Sequence, residues 1–89
     1  MTGFVPKSIK VETRDPYYVI VTFETGQVIE FNMELGFKMV PELLILKEYP
    51  EVFNNPRISI CDYMINWNLD GRLLSFHCDY VYNYGKVIR

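Results

Sequence analysis

The chain has few residues of the kinds that perform chemistry. Among 89 residues there is one histidine, His77, and there are two cysteines, Cys61 and Cys78. A glycine-rich phosphate loop, a paired metal-ligand spacing and a basic run are all missing. Nucleic-acid binding needs a stripe of lysine and arginine to displace counterions from phosphates. Here nine basic residues are scattered and the formal net charge is −2. That balance argues against direct contact with DNA or RNA, and against an anionic membrane surface. The longest unbroken apolar run, Tyr17 to Val21, is far too short to span a bilayer. The segment Met1 to Lys7 lacks the apolar core of a signal peptide. Two cysteines do not make a disulfide framework, so the expectation is a cytoplasmic protein with reduced thiols.

What is present suits a single small domain, 1–89. Hydrophobic residues at 49% and charged residues at 22% argue against disorder. A chain this short has a small core for its surface. Seven tyrosines and six phenylalanines compensate, because each ring buries a large area.

Ser8 to Thr13 alternates, with Ile9 and Val11 on one face, which predicts a short strand. Asp15-Pro16 breaks it. Tyr17 to Glu24 is rich in β-branched and aromatic residues and predicts a strand, Thr25-Gly26 a tight turn, and Gln27 to Asn32 the return. A two-residue loop would pair Phe23 with Val28 and Val21 with Glu30. Ile20, Thr22, Ile29 and Phe31 would then share the other face. One face is expected to pack on the helical segment, the other to be covered by the chain termini or a second subunit. The period of two is lost from Asn32 to Glu48. Pro41 suits the first turn of a helix over 41–48, with Leu43, Leu46 and Val40 as its inward stripe. Tyr49-Pro50 ends it, and Glu51 to Phe53 adds a single turn. Ile58 to Cys61 and Tyr63 to Trp67 read as strand, Asp70-Gly71 as a second hairpin turn, and Arg72 to Cys78 as the returning strand. Asp79 is placed as the N-cap of a last turn, Tyr80 to Tyr84, closed by Gly85. The predicted fold is α+β: an antiparallel sheet of about five strands in two hairpins, with one main helical segment between them.

Five segments then stand in a telling order. They are Val21-Thr22-Phe23-Glu24-Thr25-Gly26, Ile29-Glu30-Phe31-Asn32, Pro41-Glu42-Leu43 with Phe53, Ile65-Asn66-Trp67-Asn68-Leu69-Asp70-Gly71, and Asp79-Tyr80-Val81-Tyr82. In order and spacing they resemble the small bacterial family known as domain of unknown function 2442, from about Ile9 to Asn83. The resemblance implies an α+β fold with antiparallel sheet and a small helical insert, and no established activity. Some members are fused to a helix-turn-helix domain or encoded beside another small protein, in the manner of a toxin–antitoxin pair. This chain departs in showing no DNA-binding extension before Arg89. Members usually carry aspartate where this chain has Asn32; asparagine can cap a helix there as well.

Candidate sites are sparse. His77-Cys78-Asp79 with Cys61 is the one cluster that could hold a metal. In a strand His77 and Asp79 share a face while Cys78 points the other way, so zinc ligands converge poorly. No metal and no cofactor is expected. A cysteine with His77 could form a nucleophile–base pair, but no third group is suggested and a buried cysteine acting as a small hydrophobe is commoner. No catalytic residue is expected. Asp70 reads as a turn residue, Asp79 as a cap and Asp62 as a solvated edge position. Trp67 reads as a core anchor under the helix, or alternatively as an exposed binding residue. Tyr17, Tyr18, Tyr80, Tyr82 and Tyr84 are the interaction candidates, because tyrosine joins apolar area to a polar tip; covering an undersized core is the competing role. The reading is a non-enzymatic protein-interaction module that binds another protein, itself as a homodimer, or both, with an antitoxin-like or regulatory partnership as its sharpest version. Double substitution of Tyr80 and Tyr82 to alanine is then expected to weaken association while leaving the monomer folded. The alternative is a small-molecule binder or minor enzyme using a Cys61/His77/Trp67 face.

Overall fold

The computed structural model describes residues 5–89; residues 1–4, part of the segment read for a signal peptide, lie outside the described residues. The chain is α+β, as expected, but its strands form two sheets rather than one. β1 (Ser8–Arg14), β2 (Tyr18–Phe23), β3 (Val28–Asn32) and β7 (Lys86–Val87) make a four-stranded sheet in the order β1-β2-β3-β7. β4 (Arg57–Ile58), β5 (Met64–Leu69) and β6 (Arg72–His77) make a second sheet in that order. All neighbours are antiparallel.

The first hairpin shows how one residue changes a face. Phe23 N–H donates to Gln27 O at 2.9 Å, so Glu24, Thr25 and Gly26 form a three-residue loop, not a two-residue one. Gly26 supplies the left-handed backbone that such a loop requires, at φ +91°. The register therefore pairs Val21 with Ile29 and Val19 with Phe31. Side chains alternate across a strand, so this one-residue difference moves Ile29 and Phe31 to the face of Val19, Val21 and Phe23. All five are buried. β1 carries a second parity change. Ser8 pairs with Phe23 and Lys10 with Thr22, which leaves Ile9 as an unpaired bulge. Ser8 is buried and Ile9 is exposed, so Ile9 and Val11 do not share a face.

The helical stretch is divided into three by its prolines. α1 (Met33–Met39) opens at Asn32, whose Oδ1 accepts from Glu34 N–H at 2.9 Å, the capping role its side chain suits. A 3-10 helix follows over Pro41–Glu48, then α2 over Pro50–Phe53. A proline has no N–H to continue the preceding helix and pushes the residue before it out of helical geometry. Val40 (φ −132°, ψ 85°) and Tyr49 (φ −133°, ψ 71°) both show it. The 3-10 geometry places every third residue on one side. Leu43 and Leu46 are accordingly both buried and Val40 half-buried, the stripe the sequence predicted.

β4 is only two residues long, so Ser59 to Asp62 is a turn and not strand. Asp62 takes the left-handed conformation at φ 68°, and its carbonyl accepts from Ser8 N–H at 2.9 Å, tying the two sheets together. It is a turn residue, not a solvated edge position. Asp70 (φ 51°) and Gly71 (φ 88°) form the expected two-residue hairpin turn between β5 and β6. α3 (Cys78–Tyr84) begins directly off β6, because Cys78 N–H still donates to Tyr63 O at 2.9 Å as the last rung of the sheet. His77 is thus the N-cap and Asp79 stands inside the first turn. Gly85 ends the helix as predicted, its N–H donating to Val81 O at 2.8 Å. β7 then pairs Lys86 with Glu30 and Val87 with Ile29.

One core joins both sheets and all the helices. Val19, Val21, Phe23, Ile29 and Phe31 meet Ile65, Trp67, Leu74 and Phe76, with Phe37, Leu43, Leu46, Phe53 and Val81 from the helical segments. Trp67 is its centre: fully buried, stacked on Phe53 at 5.9 Å, its Nε1–H donating to Phe53 O at 2.9 Å.

Candidate interaction surface

The five candidate tyrosines divide between core and surface. Tyr17 packs edge-on against Phe37 at 5.7 Å and Phe53 at 5.6 Å. Tyr80 lies on Phe76 at 5.1 Å and Tyr82 on Phe23 at 5.2 Å. These three are half-buried cover over a small core. Truncating Tyr80 and Tyr82 together strips that cover and costs the monomer stability, so it does not isolate association. Tyr18 and Tyr84 remain. They share a shallow cleft with Glu30, Leu35 and Lys86. Glu30 is already engaged: Arg14 pairs with it and lies 4.7 Å over the Tyr18 ring.

The cysteine–histidine cluster comes apart. Cys78 is fully buried while Cys61 is exposed on the turn after β4. His77 is exposed beside Tyr80, with ring centroids 6.3 Å apart. Trp67 is inside the core, so Cys61, His77 and Trp67 do not share a surface. Among the described residues no three His, Cys, Asp or Glu side chains gather as metal ligands.

The two thiols differ sharply in acidity. The Ser59 hydroxyl, 3.0 Å from Cys61 Sγ, and then the Tyr63 backbone amide hold the Cys61 thiol below its ordinary value. Burial pushes the Cys78 thiol up from 9.0 to about 11, with the buried Ser8 hydroxyl partly opposing. Iodoacetamide is therefore expected to modify one thiol per native chain rapidly, at Cys61, and the second only on unfolding. Mass spectrometry of a time course checks this; two fast equivalents would contradict it. A pH effect follows as well. The unfolded chain loses its Cys78 proton before the folded chain does. This contribution to stability is complete below about pH 9 and is lost between about 9 and 11. The loss is of order 2–3 kcal/mol. Urea unfolding on both sides of that window reads it, and Cys78→Ala should flatten that part of the profile.

The three-stranded sheet turns Ile65, Trp67, Leu74 and Phe76 inward. Asn66 and Asn68 alternate with them, and the register sets Ser75 opposite Asn66 and Leu73 opposite Asn68. This outer face floors an open groove of about 800 Å³. Val52 of α2, Ile58 of β4, Ile60 of the following turn and Leu73 of β6 supply apolar lining. Ile60 is fully exposed and Leu73 is 62% exposed. Glu51 and Arg57 supply charge at the same groove. The floor is held in place by hydrogen bonds: Ser75 Oγ–H donates to Asn66 Oδ1 at 2.8 Å, and Gly71 N–H to Asn68 Oδ1 at 2.8 Å. The sequence placed Asn66 and Asn68 opposite Trp67 but did not mark Leu73 or Ile60. The Asp70-Gly71 turn could have marked Leu73, because a two-residue loop sets it opposite Asn68. Nothing local marks Ile60.

Fold and surface together define a small α+β domain of two antiparallel sheets around one core, open on the outer face of the smaller sheet. No family model, curated protein or solved structure matches the chain. No helix among the described residues is long and apolar enough to cross a membrane.

Proposed function

We propose that this chain is a non-enzymatic protein-interaction module that acts by burying the outer face of its three-stranded sheet against a protein partner. The groove carries this reading. A single exposed aliphatic residue is ordinary, whereas several around one concavity mark a contact surface. Ile60 and Leu73 are exposed there, and the half-buried Val52 and Ile58 extend the apolar lining of the same groove. Tyr18 and Tyr84 offer a smaller secondary contact around their own cleft. The likeness to domain of unknown function 2442 adds a sharper version, an antitoxin-like or regulatory partnership, which rests on the quoted segments and on the settings of that family's members.

The test is a tagged pull-down from the native host at endogenous expression, run beside an Ile60→Asp variant and read by mass spectrometry. Ile60 touches no core residue's place in the fold, being fully exposed. A stoichiometric protein recovered with the wild type, either another protein or untagged copies of this chain, and lost with Ile60→Asp, supports the reading. Equal recovery with both variants removes the groove as the contact.

A further inference from the structure

The groove presents both halves of a contact. Ile60 projects from the tip of the Ser59–Asp62 turn, and the concavity beside it is lined by Val52, Ile58 and Leu73. Glu51 and Arg57 line the same groove, and neither forms an ion pair among the described residues. The cleft on the other sheet differs, since its one acid, Glu30, is already paired with Arg14.

We propose that the occupant of the groove is a second copy of this chain, related by a twofold axis, with Ile60 of each copy seated in the other's groove and Glu51 of each facing Arg57 of the other. The inference rests on the interaction-module reading and supplies its partner. A twofold contact brings one patch against itself, so that patch must be self-complementary. Three features meet this requirement. A projecting aliphatic side chain lies next to an apolar depression. An unpaired acid and an unpaired base lie on one surface, so the axis gives each an opposite charge twice over. Asn55, Asn66 and Asn68 also line the groove, and an amide both donates and accepts, so an identical face can satisfy it.

Light scattering from micromolar to millimolar chain concentration tests the proposal on four proteins, wild type, Glu51→Arg, Arg57→Glu and the double reversal, with Ile60→Asp measured beside them. The wild type should reach twice the chain mass. Each single reversal sets like charges together at two symmetric places, and should raise the dissociation constant at least about tenfold. The double reversal should restore the wild-type value, which a damaged fold would not do. Both residues are exposed, and far-UV circular dichroism should be the same for all four. A wild type that stays monomeric overturns the proposal, as does a dimer unmoved by both single reversals and by Ile60→Asp. If a monomeric wild type still captures a different protein from the host, and Ile60→Asp abolishes that capture, the second copy is wrong and the interaction-module reading stands. Monomer with no Ile60-dependent capture removes both.

Discussion

Trp67→Ala should cost about 3–5 kcal/mol of unfolding free energy. A chain of this length has roughly 5–13 kcal/mol in all, so the variant should be partly unfolded well below the wild-type midpoint. Two effects add. The indole fills the centre of the core, fully buried and stacked on Phe53 at 5.9 Å, so its removal leaves a large cavity. Its Nε1–H also satisfies Phe53 O, a buried carbonyl at the end of α2. Leaving that carbonyl unpaired costs about 1–3 kcal/mol. Trp67→Phe separates the two, because it keeps a ring and removes the donor; it should cost about 1–3 kcal/mol. Urea unfolding followed by circular dichroism suits both variants, since the chain has no other tryptophan to report by fluorescence. A loss below about 1 kcal/mol for Trp67→Ala would mean that the two sheets are not held together through this residue.

Gly85→Ala should destabilise by about 1–3 kcal/mol and loosen the C-terminal strand. A Cβ at Gly85 would lie 2.5 Å from Ile29 Cγ2, 2.5 Å from Val81 O and 2.8 Å from Glu30 O. Two of these are backbone carbonyls, which no rotamer change can move aside. The φ of −82° is open to any residue, so the whole cost is steric. α3 turns into β7 at this point, and the expected result is faster amide exchange at Lys86 and Val87, the residues paired with β3. Gly36→Ala is the contrast. Its Cβ would meet Met33 Cε at 2.7 Å and Sδ at 2.9 Å, atoms at the end of a flexible side chain, and the edge of the Phe76 ring at 3.3 Å. Alanine also favours the helix by about 1 kcal/mol. The sequence marks Gly85 as a helix terminator and assigns Gly36 no role, but the size of each effect is set by neighbours in space.

That contrast holds for the chain as a whole. The Asp70-Gly71 hairpin was legible because both residues must take positive φ, and few dipeptides do so easily. The first hairpin was legible in kind but one residue out in register. Glu24-Thr25-Gly26 fits a three-residue loop as well as Thr25-Gly26 fits a two-residue one, and only the burial of Ile29 and Phe31 against the second sheet selects between them. Pro50 reads as a break with a separate turn after it, but the sequence assigns no separate helix over Met33–Met39, where Gly36 lowers the helical propensity of a short segment. The tyrosines were ambiguous in principle. A ring with a polar tip suits a core margin and a protein contact equally, and its neighbours in space decide which.

The sequence by itself determined the class of fold, the Asp70-Gly71 turn and the breaks at Pro41 and Pro50. Each rests on local backbone chemistry or on alternation within a few residues. Tertiary structure alone decided the division into two sheets, the addition of β7 to β3, the transfer of Tyr17, Tyr80 and Tyr82 to the core margin, and the gathering of Glu51, Arg57, Ile60 and Leu73 around one groove. Each of these depends on residues far apart in the chain, and their proximity is set by the one packing that buries the shared core.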